Sequence, residues 1–500
     1  MKESYTKKNL SFSIISLIVS ISQTLWFIPF ISQKMGTEAY GYIAVVMTIL
    51  NLSTVISIAI TSMSSRYIAI EMQKNDFDEA NRYFNSILTA VCCVALLLLS
   101  IFILLTVNLN KIMVISNGYL SDVKVLMLIS GISLIFSVLN TPFLAGLFYT
   151  NKLYVMYSFS IINYLSKMIV PIILFKLDFI PLWGMSIGGL LVDLVSFIFY
   201  LTHYKVYLPN IQINFLLSEK SYILRVLNSG IWISITKTGN LLNSNLGTYL
   251  SNILLGAYLS GIYATILQLQ TLITVMVTAI VSIFVPKMIK LHANENKDNL
   301  IQYIKDSIRY LSFPLGIISG GIIIFGPTFM TLWIGQTYSQ YWMLIILMIV
   351  GLPLSLPAEI LNQANITINK VKIPAITTLI FGFINIILIY IFCFRMEFGV
   401  IGIALSQLIT SVSRGFFFFT LYTSYQIGNS IYLFILDVLF CPFITLITTI
   451  ISLIISQLFY PSTMLGLIME AGFTTVIVIS ISYWFIFNKK EKEYIKNILK

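Results

Sequence analysis

Charged side chains are scarce in this chain of 500 residues. Asp, Glu, Lys and Arg make up only 10% of it and apolar residues make up 58%, which gives a mean hydropathy of +0.92. Apolar runs of about 20 residues, each long enough to cross a bilayer as a helix, recur from end to end. This pattern excludes a soluble enzyme with a single membrane anchor. We therefore expect an all-α polytopic membrane protein.

Histidine and cysteine are also scarce. The chain has two histidines and four cysteines, and it contains neither a CxxC spacing nor a cluster of His and Cys. A structural zinc site needs several such ligands at short, regular spacings, and a disulfide framework needs cysteines that can pair. We predict no metal site, no disulfide framework and no cofactor.

Fourteen apolar stretches are predicted to span the membrane. They cover residues 10–32, 40–62, 86–107, 123–148, 155–177, 180–203, 226–250, 255–284, 309–333, 341–362, 373–394, 399–424, 431–456 and 464–487. If the N-terminus is inside, the inner segments hold 22 of the 30 Lys and Arg residues and the outer segments hold five. Cytoplasmic loops carry such an excess, so both termini are predicted to be cytoplasmic. The same bias explains the net charge of +11 without a nucleic-acid partner.

Spans 1–6 are predicted to be repeated in spans 7–12. Gly36 and Gly41 open the second span, and Gly256 and Gly261 open the eighth, 220 residues later. An even number of spans in each repeat makes the two halves parallel in topology. Transporters built in this way bind their substrate between the halves, near the middle of the membrane.

The repeat predicts a division into three parts. Residues 1–210 would form an N-terminal lobe, and residues 211–424 a linker helix with a C-terminal lobe. Residues 425–500 would form two further helices and a basic tail. Within the linker, Ile211–Leu224 is predicted to be an amphipathic helix on the inner membrane surface.

Three cationic side chains, Lys167, Lys237 and Arg414, fall inside predicted spans. A charge at the centre of a bilayer costs about 2.5–3.5 kcal/mol, so such a side chain normally faces a protein interior or a water-filled cavity. Cations in a cavity bind phosphate groups strongly. The sequence therefore predicts a cavity that holds an anion, with these three residues as its substrate-binding cations.

Polar residues accompany the three cations. Lys237 belongs to a helical stripe with Asn240 and Ser244, and at the repeat offset Ser20 and Thr24 of the first span fall on those two positions. A water-filled cavity and ordinary helix packing both explain such stripes. The predicted polar lining consists of Ser20, Thr24, Asn163, Asn240, Ser244 and Gln407.

Acidic residues are rare in the spans. Asp193, in the sixth span, lies nearest to mid-membrane, and the sequence leaves open whether it neutralises Lys167 or Arg414. Glu359, Asp437 and Glu470 fall near span ends, which favours a solvated or interfacial position for them.

Several short motifs carry a resemblance to a known family. They are Met35–Gly41, Ser65-Arg66, Leu255–Ala264, Pro286-Lys287, Phe325–Pro327 and Leu332–Gly335. Through the order and spacing of these motifs, the chain resembles bacterial polysaccharide flippases of the multidrug/oligosaccharidyl-lipid/polysaccharide exporter superfamily. The resemblance covers essentially its whole length. The resemblance implies two six-helix lobes arranged as a V, with a central cationic cavity that opens alternately to each side. It also implies that the last two helices form a lateral groove for a lipid tail, and it adds Arg66 to the candidate cations.

The resemblance also implies a cargo and a location. The cargo would be an oligosaccharide or a teichoic-acid-like repeat unit on undecaprenyl diphosphate, moved from the inner to the outer leaflet of a bacterial plasma membrane. The product would be a capsule, exopolysaccharide, O-antigen or teichoic acid. The expected partners are membrane lipids, a polysaccharide polymerase and glycosyltransferases, and the chain itself is expected to be monomeric.

Two other functions are weaker alternatives. A cation-coupled multidrug exporter of the same superfamily generally needs intramembrane acids, often in the first span, and Leu10–Ser32 contains none. An enzyme that joins lipid-linked sugars usually carries a long outer loop with catalytic residues. The longest predicted outer loop, Asn108–Asp122, has no such constellation.

Overall fold

The structure is a computed structural model that describes residues 2–179, 181–428, 430–459 and 461–486, and all regular elements in these ranges are helices. Thirteen helices among these residues are long and apolar enough to cross a bilayer. The predicted all-α polytopic membrane fold is thereby confirmed. The lysine-rich segment that follows residue 486 lies outside the described residues.

The first of two compact units runs through Ala264 and also includes Thr378–Phe383. Its helices are α1 (Lys2–Met35), α2 (Thr37–Gln73), α3 (Phe77–Val107), α4 (Leu109–Ile112), α5 (Leu120–Tyr149), α6 (Tyr154–Lys176), α7 (Gly184–Tyr207), α8 (Lys220–Ser244), α9 (Leu246–Leu255) and the beginning of α10 (Ala257–Ala293).

The second unit comprises Thr265–Thr377 and the residues from Ile384 onward. Its helices are the rest of α10, α11 (Lys297–Trp333), α12 (Trp342–Val350), α13 (Leu352–Ser355), α14 (Ala358–Thr367), α15 (Lys372–Tyr390, which also enters the first unit), α16 (Gly399–Val412), α17 (Thr420–Ile427), α18 (Ile435–Leu458) and α19 (Met464–Ile481). Turns of π-helix follow α15, α16 and α19, at Ile391–Arg395, Ser413–Phe419 and Ser482–Ile486. The division into residues 1–210, 211–424 and 425–500 stays a prediction.

The predicted seventh span, residues 226–250, is built from two helices rather than one. α8 ends at Ser244 and α9 begins at Leu246, on either side of Asn245. The Ser244 hydroxyl donates to the Asn240 carbonyl at 2.8 Å and to the Asn245 side chain at 2.7 Å. Short polar side chains that bond nearby backbone compete with regular helix, so the polarity that marks this span also interrupts it.

The predicted surface helix over residues 211–224 is not formed as one helix, which corrects that expectation: a single 3-10 turn covers Phe215–Leu217, and the α-helix begins at Lys220. Residues 211–214 are non-helical because Asn81 and Asn85 of α3 hold them. The Asn81 and Asn85 side chains donate to the main-chain carbonyls of Asn210 and Gln212 at 2.9 and 2.8 Å. Their side-chain oxygens accept from the main-chain amides of Gln212 and Asn214 at 2.8 Å. The side chains of two asparagines one helical turn apart therefore form the hydrogen bonds that the backbone of a neighbouring strand would otherwise form.

The 220-residue repeat is visible in the helix boundaries. α2 and α10 are both 37 residues long, and each follows a glycine with a positive φ, 88° at Gly36 and 89° at Gly256. Residues that carry a side chain rarely adopt a positive φ, which explains why both positions are glycine. α3 and α11 also begin at matching positions, after the capping residues Asp76 and Asn296.

The beginnings of α2 and α10 pack on each other reciprocally within the first unit. A Cβ added at Gly41 would lie 2.3 Å from the Ala257 carbonyl oxygen, and one added at Gly261 would lie 2.1 Å from the Thr37 carbonyl oxygen. Thr37 and Ala257 are themselves equivalent at the repeat offset. This local two-fold relation requires glycine on both sides, because any Cβ would collide with backbone.

Candidate functional site

Lys167 lies in α6 against a pair of glycines in α7. A Cβ added at Gly188 would lie 2.6 Å from the Ser166 carbonyl oxygen, and one added at Gly189 would lie 2.8 Å from Lys167 Cε. Small residues allow membrane helices to approach this closely. Gly188 therefore brings the two helices together, and Gly189 leaves room for the lysine stem to lie along α7.

Asp193, one turn further along α7, accepts hydrogen bonds from two other helices. Ser133 of α5 donates to Oδ2, and Asn163 of α6 donates to Oδ1 at 3.1 Å. Lys167 is its electrostatic partner, although no ion pair within 4 Å joins these two described residues. Three helices thus hold a lysine and an aspartate whose charges offset each other, and it is Lys167 rather than Arg414 that Asp193 accompanies.

Arg414 lies in the second unit, in the π-helical turn Ser413–Phe419. Glu359 of α14 acts on its guanidinium electrostatically. The adjacent Gly415 packs on α13, where an added Cβ would lie 2.7 Å from Ser355 Cα. Turns of π-helix inside an α-helix are frequent at functional sites, so the local backbone is consistent with a special role for this arginine.

Two residues of the predicted polar lining, Thr24 and Gln407, make side-chain hydrogen bonds within their own unit. Ser20 and Thr24 are half-buried on α1, and the Thr24 hydroxyl donates to the Ser20 carbonyl at 3.1 Å. Gln407 is buried on α16 and donates from Nε2 to Gln270 Oε1 at 3.2 Å. The first bond lies within α1 and the second joins α16 to α10. Whether Ser20, Thr24 and Gln407 line a cavity stays a prediction.

Lys237 is exposed on α8, although the helix packs tightly on both sides of it. A Cβ added at Gly230 would lie 1.9 Å from the Ala59 carbonyl oxygen of α2, and one added at Gly239 would lie 2.5 Å from the Thr378 backbone of α15. The helix is therefore fixed by glycine contacts before and after the lysine. Its ammonium group is held on a rigid element and remains accessible.

The polar stripe of Lys237, Asn240 and Ser244 continues at helical spacing to Thr248 and Ser251, and its two parts differ in burial. Asn240 and Ser244 are half-buried, whereas Thr248 and Ser251 in α9 are fully enclosed. The Ser251 hydroxyl donates to the Thr248 carbonyl at 2.7 Å. The part beyond the break at Asn245 is thus buried in helix packing, and the part in α8 is the more accessible one.

Arg66, the cation added by resemblance, is exposed near the end of α2. The next residue, Tyr67, lies 2.6 Å from the Ser229 hydroxyl through its own hydroxyl, which ties α2 to α8. Arg66 therefore lies on the helix that α8 packs against, about one turn beyond the inner end of the predicted second span.

The second unit contains an apolar cavity of ≈ 330 Å³ between α11, α18 and α19. Its walls are formed by Leu269, Ile317, Ile318, Gly321, Ile322, Phe325, Gly326, Phe329, Thr448, Leu467, Ile468, Ala471, Thr474 and Thr475. The three threonine hydroxyls donate to carbonyls of their own helices at 2.8–2.9 Å, so they present methyl groups to the cavity. The cavity lies at the last two helices, where a groove for a lipid tail is expected.

Comparison with known proteins places this geometry in a family. The model of the polysaccharide biosynthesis protein family matches residues 6–292, which is more than half of the chain. The chain belongs to this family. The predicted membership in a polysaccharide family is thereby confirmed.

Individual relatives agree with that assignment. The uncharacterized membrane protein EpsK of Bacillus subtilis strain 168 is 26% identical over 433 residues, which are 85% of each chain. Among solved structures, the lipid II flippase MurJ in an inward closed conformation matches with a TM-score of 0.70 at 18% identity, over 95% of this chain and 99% of its own. An inward-facing multidrug resistance transporter of the MATE family matches with a TM-score of 0.64 at 12% identity, over 84% and 97%. At these identities the two structural matches establish the fold alone.

Sequence reasoning missed one partner of Asp193 in this family member. Ser133 belongs to a stripe with Ser130, Ser137 and Asn140 in α5, at spacings of 3 and 4 residues, so a signal was present. Nothing in the sequence shows which neighbouring helix that stripe faces. The role of the glycine pair in α7 depends on the same unknown neighbour.

Proposed function

We propose that this protein is a flippase for a lipid-linked oligosaccharide or teichoic-acid-like unit carried on undecaprenyl diphosphate. It would move the unit from the inner to the outer leaflet of a bacterial plasma membrane by alternating access, with both termini in the cytoplasm. Family membership and a multi-pass fold shared with transporters support transport rather than catalysis. Capsule, exopolysaccharide, O-antigen and teichoic acid remain the candidate products.

The observation that carries the proposal is the exposed side chain of Lys237. It lies on a polar helix that is fixed by glycine contacts, and Asn240 and Ser244 follow it on the same helix face. A rigidly held lysine beside amide and hydroxyl groups suits a diphosphate, which needs a cation and several hydrogen-bond donors. We propose Lys237 as the first contact of the diphosphate, with Arg414 and Arg66 as further candidates.

Lys167 has a different proposed role. Because Asp193 offsets its charge, we propose that it sets the local arrangement of α5, α6 and α7 more than it attracts the cargo. Under this proposal the cations that bind the cargo are Lys237, Arg414 and Arg66, and Lys167 is a structural member of the polar core of the first unit.

The apolar cavity of the second unit supports the lipid part of the proposal. Its volume of ≈ 330 Å³ falls at the lower end of the roughly 300–1,000 Å³ found for ligand pockets. A wall of Ile, Leu, Phe and threonine methyl groups suits a section of a polyprenyl chain. The MurJ protein with the same fold is a lipid II flippase, and lipid II is also a lipid-linked cargo.

Reconstituted vesicles test this function directly. Undecaprenyl-diphosphate-linked oligosaccharide with a fluorescent group on the sugar is placed in both leaflets, and dithionite added outside quenches only outer-leaflet molecules. The protein should allow nearly complete quenching, and Lys237→Gln should prevent it. The control is Lys297→Gln, which changes an exposed lysine at the start of α11 and should behave as the unchanged protein.

A drug-export function gives the opposite pattern. In that case the vesicles would accumulate or release a cationic dye in response to a proton or sodium gradient, and the lipid-linked sugar would stay in its leaflet. That result, with no sugar translocation by the unchanged protein, would overturn the flippase proposal.

A further inference from the structure

Glu470 is an acidic side chain that the cationic site and the cavity do not use. Its position suggests an interfacial role, but the structure buries it: only 9% of its surface is exposed. Its Oε2 atom is enclosed and meets no hydrogen-bond partner among the described residues. It lies in α19, within the membrane-spanning stretch Met464–Trp484.

The helices around Glu470 place no cation beside it. α19 packs against α11 and α18 and continues into the π-helical turn Ser482–Ile486. The titratable and charged side chains of these elements are Lys297, Asp298, Tyr303, Lys305, Asp306, Arg309 and Tyr310 on α11, Asp437 and Cys441 on α18, and Tyr483 in the turn.

Those groups lie at a different depth from Glu470. Leu467, Ala471 and Thr474, which flank it on α19, line the apolar cavity together with Ile317–Phe329 of α11 and Thr448 of α18. Tyr310 precedes Ile317 by seven residues, and Cys441 precedes Thr448 by seven, which is about 10 Å along a helix. Glu470 therefore lies beside the apolar cavity, at a level that these charged groups do not reach.

We propose that Glu470 is a membrane-embedded proton-binding site that holds its proton at neutral pH, and that the cavity between α11, α18 and α19 is the route by which apolar molecules reach it. An isolated carboxylate in apolar surroundings is so unfavourable that the group takes up a proton instead. The absence of an ion pair or hydrogen bond at Oε2, among the residues that the structure describes, leaves protonation as the way to satisfy this group. The inference does not depend on the identity of the cargo.

Dicyclohexylcarbodiimide tests the protonation state, because this apolar reagent reacts with protonated carboxyl groups. The carboxyl proton moves to one carbodiimide nitrogen, the carboxylate oxygen adds to the central carbon, and rearrangement leaves a stable N-acylurea on the side chain. The full chain in lipid nanodiscs is treated at pH 5.5 and pH 7, and peptide mass spectrometry gives the labelling rate at each residue. Exposed Glu397 provides an internal reference, and Glu470→Gln should remove the label from its peptide.

Glu470 should be labelled equally fast at the two pH values. An ordinary glutamate, with a pKa of about 4.3, becomes about 30-fold less protonated over this interval, and the Glu397 rate should fall accordingly. A fall at Glu470 that matches the fall at Glu397, or no label at Glu470 under either condition, would overturn the proposal.

Two glycines of α11 and α19 provide a matched test of the route. Gly321 lines the cavity, Gly472 does not, and a Cβ added at either position meets no atom within 4 Å. Gly321→Phe should fill the cavity and abolish labelling of Glu470, whereas Gly472→Phe should leave the rate unchanged. Equal rates in the two variants would show that the reagent arrives by another path and would overturn that part of the proposal.

Discussion

The two lysines in the first unit have opposite surroundings. Lys167 extends across Gly189 towards Asp193, which Ser133 and Asn163 hold in place. Lys237 is exposed on α8 and is fixed only through the backbone packing of its helix. The same residue type in the same kind of span is thus offset in one place and accessible in the other. The difference makes a lysine in a membrane helix a better candidate for a ligand site when no acid is held beside it.

The largest loss of stability is expected when the Asp193 charge is removed. Asp193→Asn keeps the size of the side chain but replaces one acceptor oxygen with an NH2 group and leaves the Lys167 charge without its counterion. Removing one partner of a buried charge pair costs about 3–5 kcal/mol. Since both side chains are partly accessible, we expect the lower end, about 3 kcal/mol, as a loss of stability in a thermal unfolding assay in detergent. Unchanged stability would show that Lys167 does not depend on this aspartate.

Lys237 should respond in the reverse manner. Among the described residues Lys237 forms no ion pair within 4 Å, so the stability of Lys237→Gln should be unaffected. Binding of undecaprenyl diphosphate should weaken by the worth of a hydrogen bond to a charged group, about 1.5–3 kcal/mol, or roughly 10- to 150-fold. Titration with this lipid measures the change, and undecaprenol, which lacks the diphosphate, provides the control ligand. If the unchanged protein binds undecaprenyl diphosphate and undecaprenol equally tightly, the diphosphate is not recognised and Lys237 does not belong to the site.

Gly189 offers a subtler disturbance of the Lys167 arrangement. In Gly189→Ala the new Cβ would lie 2.8 Å from Lys167 Cε, so the lysine stem must shift. Overpacking of this kind costs about 1–3 kcal/mol, and a flexible stem favours the lower end. Thermal unfolding should show the loss, while Gly472→Ala, where the Cβ meets open space, should show none.

The smallest effect is expected when both members of the pair are removed. Replacing a buried ion pair with apolar residues of similar volume is often neutral or stabilising. The variant Lys167→Met/Asp193→Leu should therefore be clearly more stable than Asp193→Asn alone. If the double change costs as much as the single one, the two side chains act independently and the proposed offset is wrong.

Much of the fold was predictable because it depends on properties that the chain carries locally. Hydropathy locates the spans, and the glycines at positions 36 and 256 mark the repeat since their positive φ demands that residue. The break at Asn245 and the non-helical linker were not predictable. Both depend on side chains that bond backbone in competition with helix, and in the linker those side chains come from α3.

The sequence indicates which residues are candidates for the site, but it does not show which of them lie next to each other. The sequence points to Lys167, Lys237 and Asp193, but it cannot tell that α7 carries its aspartate towards α6, because that depends on which faces of the helices meet. Glu470 illustrates the same limit. Its closeness to the end of a span suggests a position at the membrane interface, whereas packing against α11 and α18 buries it.

The most direct test compares the two lysines in one binding experiment. Undecaprenyl diphosphate is titrated into the unchanged protein, Lys237→Gln and the Lys167→Met/Asp193→Leu double variant under identical conditions. The accessible lysine should be the one that matters, so affinity should fall in Lys237→Gln and be retained in the double variant. Retained affinity in Lys237→Gln together with a loss in the double variant would contradict the assignment of the anion site to α8.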